Sequence, residues 1–194
     1  MRILITNDDG LHASQLLPLI KWCRKLGEVT AVVPKVEQSG KSHGIEIHKP
    51  FEAKQVELEP GTQVWAVDST PADCVRFAVL GLQQEFDLVI SGVNRGLNVG
   101  TDMMYSGTVG AACEAVNLGL KAIALSTPPS YYDHATDHLD EVFEFVRKHD
   151  LLSLNDIYNI NIPANPKEIL FTHQGGPYYS DRFPSIGNDM YRPE

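Results

Sequence analysis

The chain alternates short apolar runs of strand length with longer stretches whose apolar residues recur at helical spacing. "RILIT" (2–6) reads as a buried strand. "SQLLPLIKWCRKLG" (14–27) reads as a helix, with Ser14 placed to cap it and Gly27 to stop it. "EVTAVVP" (28–34) reads as a second strand, ended by Pro34. Strand, helix and strand in direct succession predict a βαβ unit, hence parallel strands joined by a right-handed crossover.

The pattern continues in the same sense. "QSGKSHG" (38–44) is a polar loop, and residues 45–68 alternate apolar and polar positions, as half-solvated strands do, with a break at Pro60-Gly61. A helix is expected over 69–82, where Thr70 can cap, Pro71 suits the first helical position and Asp73 completes a box-like spacing. "FDLVIS" (86–91) is a strand, 92–107 a loop rich in Gly, Asn and Asp, 108–119 a helix of small residues and 121–126 another strand. A polar helix around 136–150 and a strand at 157–163 follow, and the last 30 residues read as an arm. The fold class is α/β, a mostly parallel sheet with helices on both faces. The 194 residues suit one domain, with about 1–130 as the core that carries the site and about 131–194 as helix, strand and arm.

Composition narrows the partners. A formal net charge of −9 argues against a broad grip on nucleic-acid backbones or anionic membranes, which need a basic face. No apolar run reaches the roughly 20 residues that span a bilayer. Cys23, Cys74 and Cys113 are odd in number and widely spaced, so they read as reduced core residues rather than as disulfides or a zinc site. With the first strand beginning at Arg2, no leader is expected, and a reducing cytoplasm is the expected compartment.

The candidate chemistry lies where the strands stop. In open parallel sheets, ligands bind beyond the carboxyl ends of strands. Asn7-Asp8-Asp9-Gly10 follows the first strand, Gln38-Ser39-Gly40 the second, and Asn94, Gly96 and Asn98 the "FDLVIS" strand. These are hard oxygen donors without histidine or cysteine, a set that suits Mg²⁺, Mn²⁺ or Ca²⁺. A divalent cation would also offset the repulsion between adjacent carboxylates. Asp8 and Asp9 suit helix capping equally well, and Ser39 suits a simple turn. Ser106-Gly107-Thr108, ahead of the small-residue helix, offers hydroxyls and free N–H groups to a phosphate, or else caps the helix and lets it pack closely. An oxygen-ligand cation site beside an anion cradle suggests phosphoester hydrolysis. His43, near the Ser39 loop, could carry a proton or be solvated. Tyr131-Tyr132 and Tyr178-Tyr179 could line a pocket, stack on a base or pack.

With these residues in view, the chain resembles the SurE family of survival proteins, metal-dependent 5′/3′-nucleotidases. The resemblance rests on "ILITNDDG", "EQSGKS" (37–42), "TPADCV" (70–75), "SGVNRGLNVG" (91–100), "YSGTVGAACEA" (105–115), "AIALS" (122–126) and "NINIP" (159–163), in that order. It implies a Rossmann-like core. It implies that Asp8, Asp9, Ser39 and Asn94 ligate one divalent cation per subunit, Mg²⁺ or Mn²⁺, and that Ser106, Gly107 and Thr108 contact phosphate, as Asn94 would from the cation site. Asp8 and Asp9 would carry the catalysis, and Asn98 would shape the loop. The implied activity is removal of phosphate from nucleoside 5′- and 3′-monophosphates, with polyphosphate as a further substrate of some members. The implied assembly is a homodimer or higher oligomer built with a C-terminal arm. Family members continue past the region where this chain ends, so the arm reads as incomplete. Glu46 stands where threonine is common in the family and could bring negative charge towards the pocket.

Two other classes remain in play on the residues alone. A non-catalytic nucleotide-binding module would bind without turnover. A phosphoacceptor receiver domain also opens with an acidic pair, but it needs an aspartate and a lysine after later strands, where this chain has Ser91 and Thr127-Pro128.

Overall fold

A computed structural model describes residues 1–194. Seven strands form one sheet: β1 (Arg2–Thr6), β2 (Glu28–Pro34), β3 (Ala53–Val56), β4 (Gln63–Val67), β5 (Leu88–Arg95), β6 (Ala122–Thr127) and β7 (Ile157–Asn161). Their order is β3-β4-β2-β1-β5-β6-β7. All neighbours run parallel except the edge strand β3, which lies antiparallel to β4. The chain therefore builds outwards from β1 in one direction, then returns to build outwards through β5 in the other. The crevice between β1 and β5 is the point where such sheets bind ligands.

Both faces of the sheet are covered, which is why its central strands are unbroken apolar runs. Ile3, Ile5, Ala31, Val33, Leu88, Ile90 and Ile123 face α1 (Leu16–Cys23), α4 (Leu139–Lys148) and α5 (Leu151–Leu154). Leu4, Val32, Val67, Val89 and Ala124 face α2 (Pro71–Arg76) and α3 (Gly107–Asn117). The alternation of Ile3, Leu4 and Ile5 between the two layers follows from the pleat. Ala111, Ala112 and Ala115 are fully buried and let α3 lie close to the sheet. No helix is long and apolar enough to cross a membrane. Cys23 and Cys74 are buried, Cys113 is half-buried, and all three are free thiols.

Several element limits differ from expectation, each for a local reason. Helix α1 starts at Leu16, after Gln15, and Ser14 does not cap it; residues 10–16 instead form successive turns, with Ala13 N–H on Gly10 O and Leu16 N–H on Ala13 O. The helix expected over 69–82 is capped by Thr70, whose hydroxyl accepts from Asp73 N–H at 3.1 Å. Beyond Arg76 it widens into a π turn over Phe77–Gly81, closed by Leu82 N–H on Phe77 O. Of residues 45–68, only β3 and β4 are strands. The helix expected around 136–150 is α4, and the short α5 follows it after Asp150, which lies in the left-handed region at φ 48°. A 3₁₀ turn over Pro129–His134 precedes them, and the arm holds only a small hairpin, β8 (Ser185–Gly187) with β9 (Met190–Tyr191).

The largest difference is β5. It runs through Gly92 to Arg95 instead of stopping at Ser91, with a bulge against β6 between Ser91 and Asn94. Gly92 sits at φ 134°, and a Cβ there would stand 2.4 Å from the Leu125 carbonyl oxygen. Bulges bend a strand and re-aim its side chains, and this one falls directly before Asn94.

The loop after β2 is tied down at both ends. Gln38 N–H donates to Asp8 O at 2.7 Å. Gly10, at φ 88°, lets residues 36–37 approach so closely that a Cβ would lie 2.9 Å from Val36 C. Further on, Ser42 binds the main chain of Met104 and Tyr105 through its hydroxyl and its N–H. His43 Nε2 lies 2.6 Å from Glu114 on α3, and Arg76 at the end of α2 donates to the other oxygen of the same carboxylate at 2.9 Å. Burial pushes the Glu114 carboxyl up, but His43 and Arg76 outweigh it and hold it below its ordinary range. His43 is thus a clasp on the loop, with its ring still open to solvent on one side.

Gly10→Ala combines backbone strain with overlap against the 36–37 segment, and it is expected to cost about 2 kcal/mol of unfolding free energy in urea titration. Glu114→Gln is expected to cost about 1–2 kcal/mol at neutral pH. Because the Glu114 pKa is depressed on folding, its contribution is present above the ordinary carboxylate pKa and is lost as pH falls through the lowered value. The difference between wild type and variant should therefore close on acidification, which the same titration repeated from pH 7 to pH 3 would show.

Candidate active site

Asp8 ends in the interior, 3% exposed, one residue beyond the turn that β1 makes at Asn7. Asn7 shapes that turn, its side chain both accepting from Gly10 N–H and donating to Gly10 O. This breaks the strand's alternation, so two adjacent carboxylates can serve one crevice. Thr108 Oγ1 donates to Asp8 Oδ1. Gly107 packs against the same side chain; a Cβ there would come within 3.0 Å of Asp8 Cβ. The start of α3 and the end of β1 are therefore in direct contact.

Asp9 is half-buried, and its Oδ2 accepts from the Arg95 main-chain N–H at 3.0 Å and the Tyr132 hydroxyl at 3.2 Å. A hydroxyl therefore holds one oxygen of each aspartate, and main-chain N–H groups add to it: those of Asp8 and Thr108 for Asp8, and that of Arg95 for Asp9. Burial pushes the Asp8 carboxyl up to about 6; the Thr108 hydroxyl opposes the rise and the Asp9 charge adds to it. Asp9 is raised in the same way, first by burial, with the Arg95 N–H and Tyr132 opposing and the charge of Glu37 adding. No Lys or Arg side chain forms an ion pair with either aspartate; the Arg95 charge opposes the rise of Asp9 more weakly than its N–H does.

Asn94 donates its amide to Gly96 O at 2.8 Å, which orients the side chain and leaves Oδ1 free. Ser39 is exposed, and its hydroxyl donates to Glu37 Oε1 at 2.8 Å, not to either aspartate, although the adjacent Gln38 is bonded to Asp8. The donor set is two carboxylate oxygens, one amide oxygen and one hydroxyl, which fits a hard divalent cation. No three His, Cys, Asp or Glu side chains cluster at metal-binding range in the chain; the neutral oxygens near the pair are those of Ser39 and Asn94.

Ser106 caps α3, its oxygen accepting from Val109 N–H at 3.2 Å, so its own proton stays available. The Gly107 and Thr108 N–H groups belong to the first helical turn and have no intrahelical acceptor. Thr108's hydroxyl proton is committed to Asp8, which leaves anion binding to the Ser106 hydroxyl and the Gly107 N–H, with the Thr108 N–H shared with the Asp8 carboxylate. Asn98 is buried in a brace: its carbonyl accepts from Asn159 and Asn161, its N–H donates to Asn161, and its amide donates to Ser126. Glu46 does not charge the pocket; its carboxylate accepts from the His48 and Lys49 N–H groups and closes a local turn.

Arg95 N–H and Glu37 join this site without being candidates from the sequence, and Tyr132, a candidate pocket residue, bonds to Asp9. Glu37 had a local signal, an acid two residues before Ser39. Nothing local tied the other two to Asp9, which they reach from 86 and 123 residues away.

Comparison with known proteins places this arrangement. The family model "Survival protein SurE" matches residues 3–181. A protein of Thermoanaerobacter sp. (strain X514) named 5′-nucleotidase SurE is 40% identical over 177 residues, covering 87% of this chain and 68% of the relative. One of the same name from Acinetobacter baumannii (strain SDF) is 43% identical over 185 residues, covering 90% and 71%. The crystal structure of the SurE protein from Aquifex aeolicus superposes with a TM-score of 0.75 at 29% identity, covering all of this chain and 80% of that one. The ordered motifs, the crevice between β1 and β5 and these matches lead to one conclusion: the chain belongs to the SurE family.

Proposed function

We propose that the chain hydrolyses nucleoside 5′-monophosphates to nucleoside and phosphate with the help of one divalent cation, Mg²⁺ or Mn²⁺. The observation that carries this reading is the contact between Thr108 and Asp8, which puts an anion-binding helix start directly against a pair of carboxylates. Relatives named 5′-nucleotidase supply the substrate class. Asp8 and Asp9 would hold the cation with Asn94, and Ser39 would join them after releasing Glu37. A cation bound there supplies Lewis-acid polarisation of a phosphoryl oxygen and offsets charge on the transferring group.

The chain's own groups do the rest. The N–H groups of Gly107 and Thr108 and the Ser106 hydroxyl would hold the phosphate oxygens at the positive end of the α3 dipole. Thr108 keeps Asp8 in one rotamer by spending its proton there. The Asn98 brace fixes the segment between Asn94 and the phosphate-binding turn. The arm exposes Leu170, Phe171, Tyr178 and Phe183, which supports self-association as the means of covering it. The absence of a basic face leaves a small anion, rather than a nucleic acid, as the partner.

The test is phosphate release from AMP by metal-stripped protein with Mn²⁺, Mg²⁺ or excess chelator. Hydrolysis should require a divalent cation, and Asp8→Asn should lower kcat/KM about 100-fold or more. Full activity in chelator, or an unaffected Asp8→Asn, sinks the reading. Tight AMP binding without turnover in any cation would establish the binding-module alternative. Including 3′-AMP and polyphosphate in the panel sets the breadth of the substrate range.

A further inference from the structure

Tyr132 is 7% exposed and sits in the Pro129–His134 turn, in the part of the chain that carries the helix, strand and arm. The turn is anchored: Ala135 N–H donates to Tyr132 O, and Ala135 and Leu139 are fully buried in the core layer that contains α1. From this fixed position the phenol reaches Asp9 Oδ2 at 3.2 Å. The second donor to that same oxygen, the Arg95 N–H, comes from the end of β5. Two donors from different elements, converging on one oxygen, fix the carboxylate's rotation. They leave Oδ1 as the one oxygen of Asp9 without a protein donor.

We propose that Tyr132 is a positioning residue for the cation site: its phenol, together with the Arg95 N–H, locks Asp9 so that Oδ1 faces a hard divalent cation. This rests on the reading of Asp8 and Asp9 as cation ligands. Outer partners that orient a ligating carboxylate contribute substantially to metal affinity, although they never touch the metal. The neighbouring Tyr131 provides an internal contrast, because its hydroxyl lies 3.0 Å from His138 Nε2, away from the aspartates.

The experiment uses the whole chain, stripped of metal, with Mn²⁺ alone as probe. Thermal unfolding is followed across a Mn²⁺ titration for wild type, Tyr132→Phe, Tyr131→Phe, Asp9→Asn and the Tyr132→Phe/Asp9→Asn double variant. Tyr132→Phe keeps the ring and removes one oxygen, so the metal-free Tm should move by no more than about 3 °C. Its Mn²⁺ dissociation constant should rise about tenfold or more, while Tyr131→Phe binds as wild type does. In the Asp9→Asn background, Tyr132→Phe should add nothing further. The Mn²⁺ midpoint of AMP hydrolysis reads the same change in loaded protein, and saturating Mn²⁺ should restore the AMP KM. An unchanged dissociation constant in Tyr132→Phe, or an equal loss in Tyr131→Phe, overturns the proposal while leaving the cation site standing. Wild type that is not stabilised by Mn²⁺ overturns both.

Discussion

Burying two adjacent carboxylates at the end of the central strand is the constraint around which the rest of this structure is arranged. Ionised carboxyls resist leaving water and resist each other. The fold meets that cost by supplying one set of donors to each: a hydroxyl from α3 for Asp8, and a main-chain N–H and a phenol for Asp9. What it withholds is a direct ion pair, since Arg95 acts on Asp9 only beyond contact range. The result is a pair that is geometrically fixed but electrostatically incomplete, the condition under which a bound cation gains most.

The scaffold serves that pair. Gly10 lets the loop after β2 close over β1, and the bulge in β5 comes immediately before Asn94. The small residues of α3 bring an anion-binding helix end against the strand that carries the aspartates. His43, Glu114 and Arg76 then join the loop, α3 and α2 through one buried carboxylate. Each device belongs to a different element, yet all of them act within the crevice where the sheet changes direction.

Much of this could be read from residues in order. The limits of β1 and β2 follow from runs bounded by Asn7, Gly27 and Pro34, and the Thr70-Pro71 start of α2 follows from local capping chemistry. The ligand-bearing loops follow from topology, because parallel strands bring their carboxyl ends to one edge. What could not be read depends on contacts between distant segments. β5 outran its expected end because Gly92-Val93-Asn94 resembles a loop until β6 pairs with it across a bulge. Ser14 lost its capping role to the turns that carry the chain away from the site. Tyr132 looked like one of several tyrosines, since nothing near it in sequence reveals an aspartate 123 residues away. Asn159 and Asn161 read as a strand motif, and only the folded chain shows them gripping Asn98.

The central place of β1 also orders the protein's biosynthesis. Asp8 and Asp9 leave the ribosome before the distant donors that steady them: Arg95, then Thr108, then Tyr132. Until β5 (Leu88–Arg95) has emerged, β1 can pair with β2, and β2 with β4, while the other edge of β1 stands open. The crevice therefore forms well after its acidic half has been made. A pause in translation before β5 emerges would leave the charged pair open to dissolved cations before any part of the protein could use them.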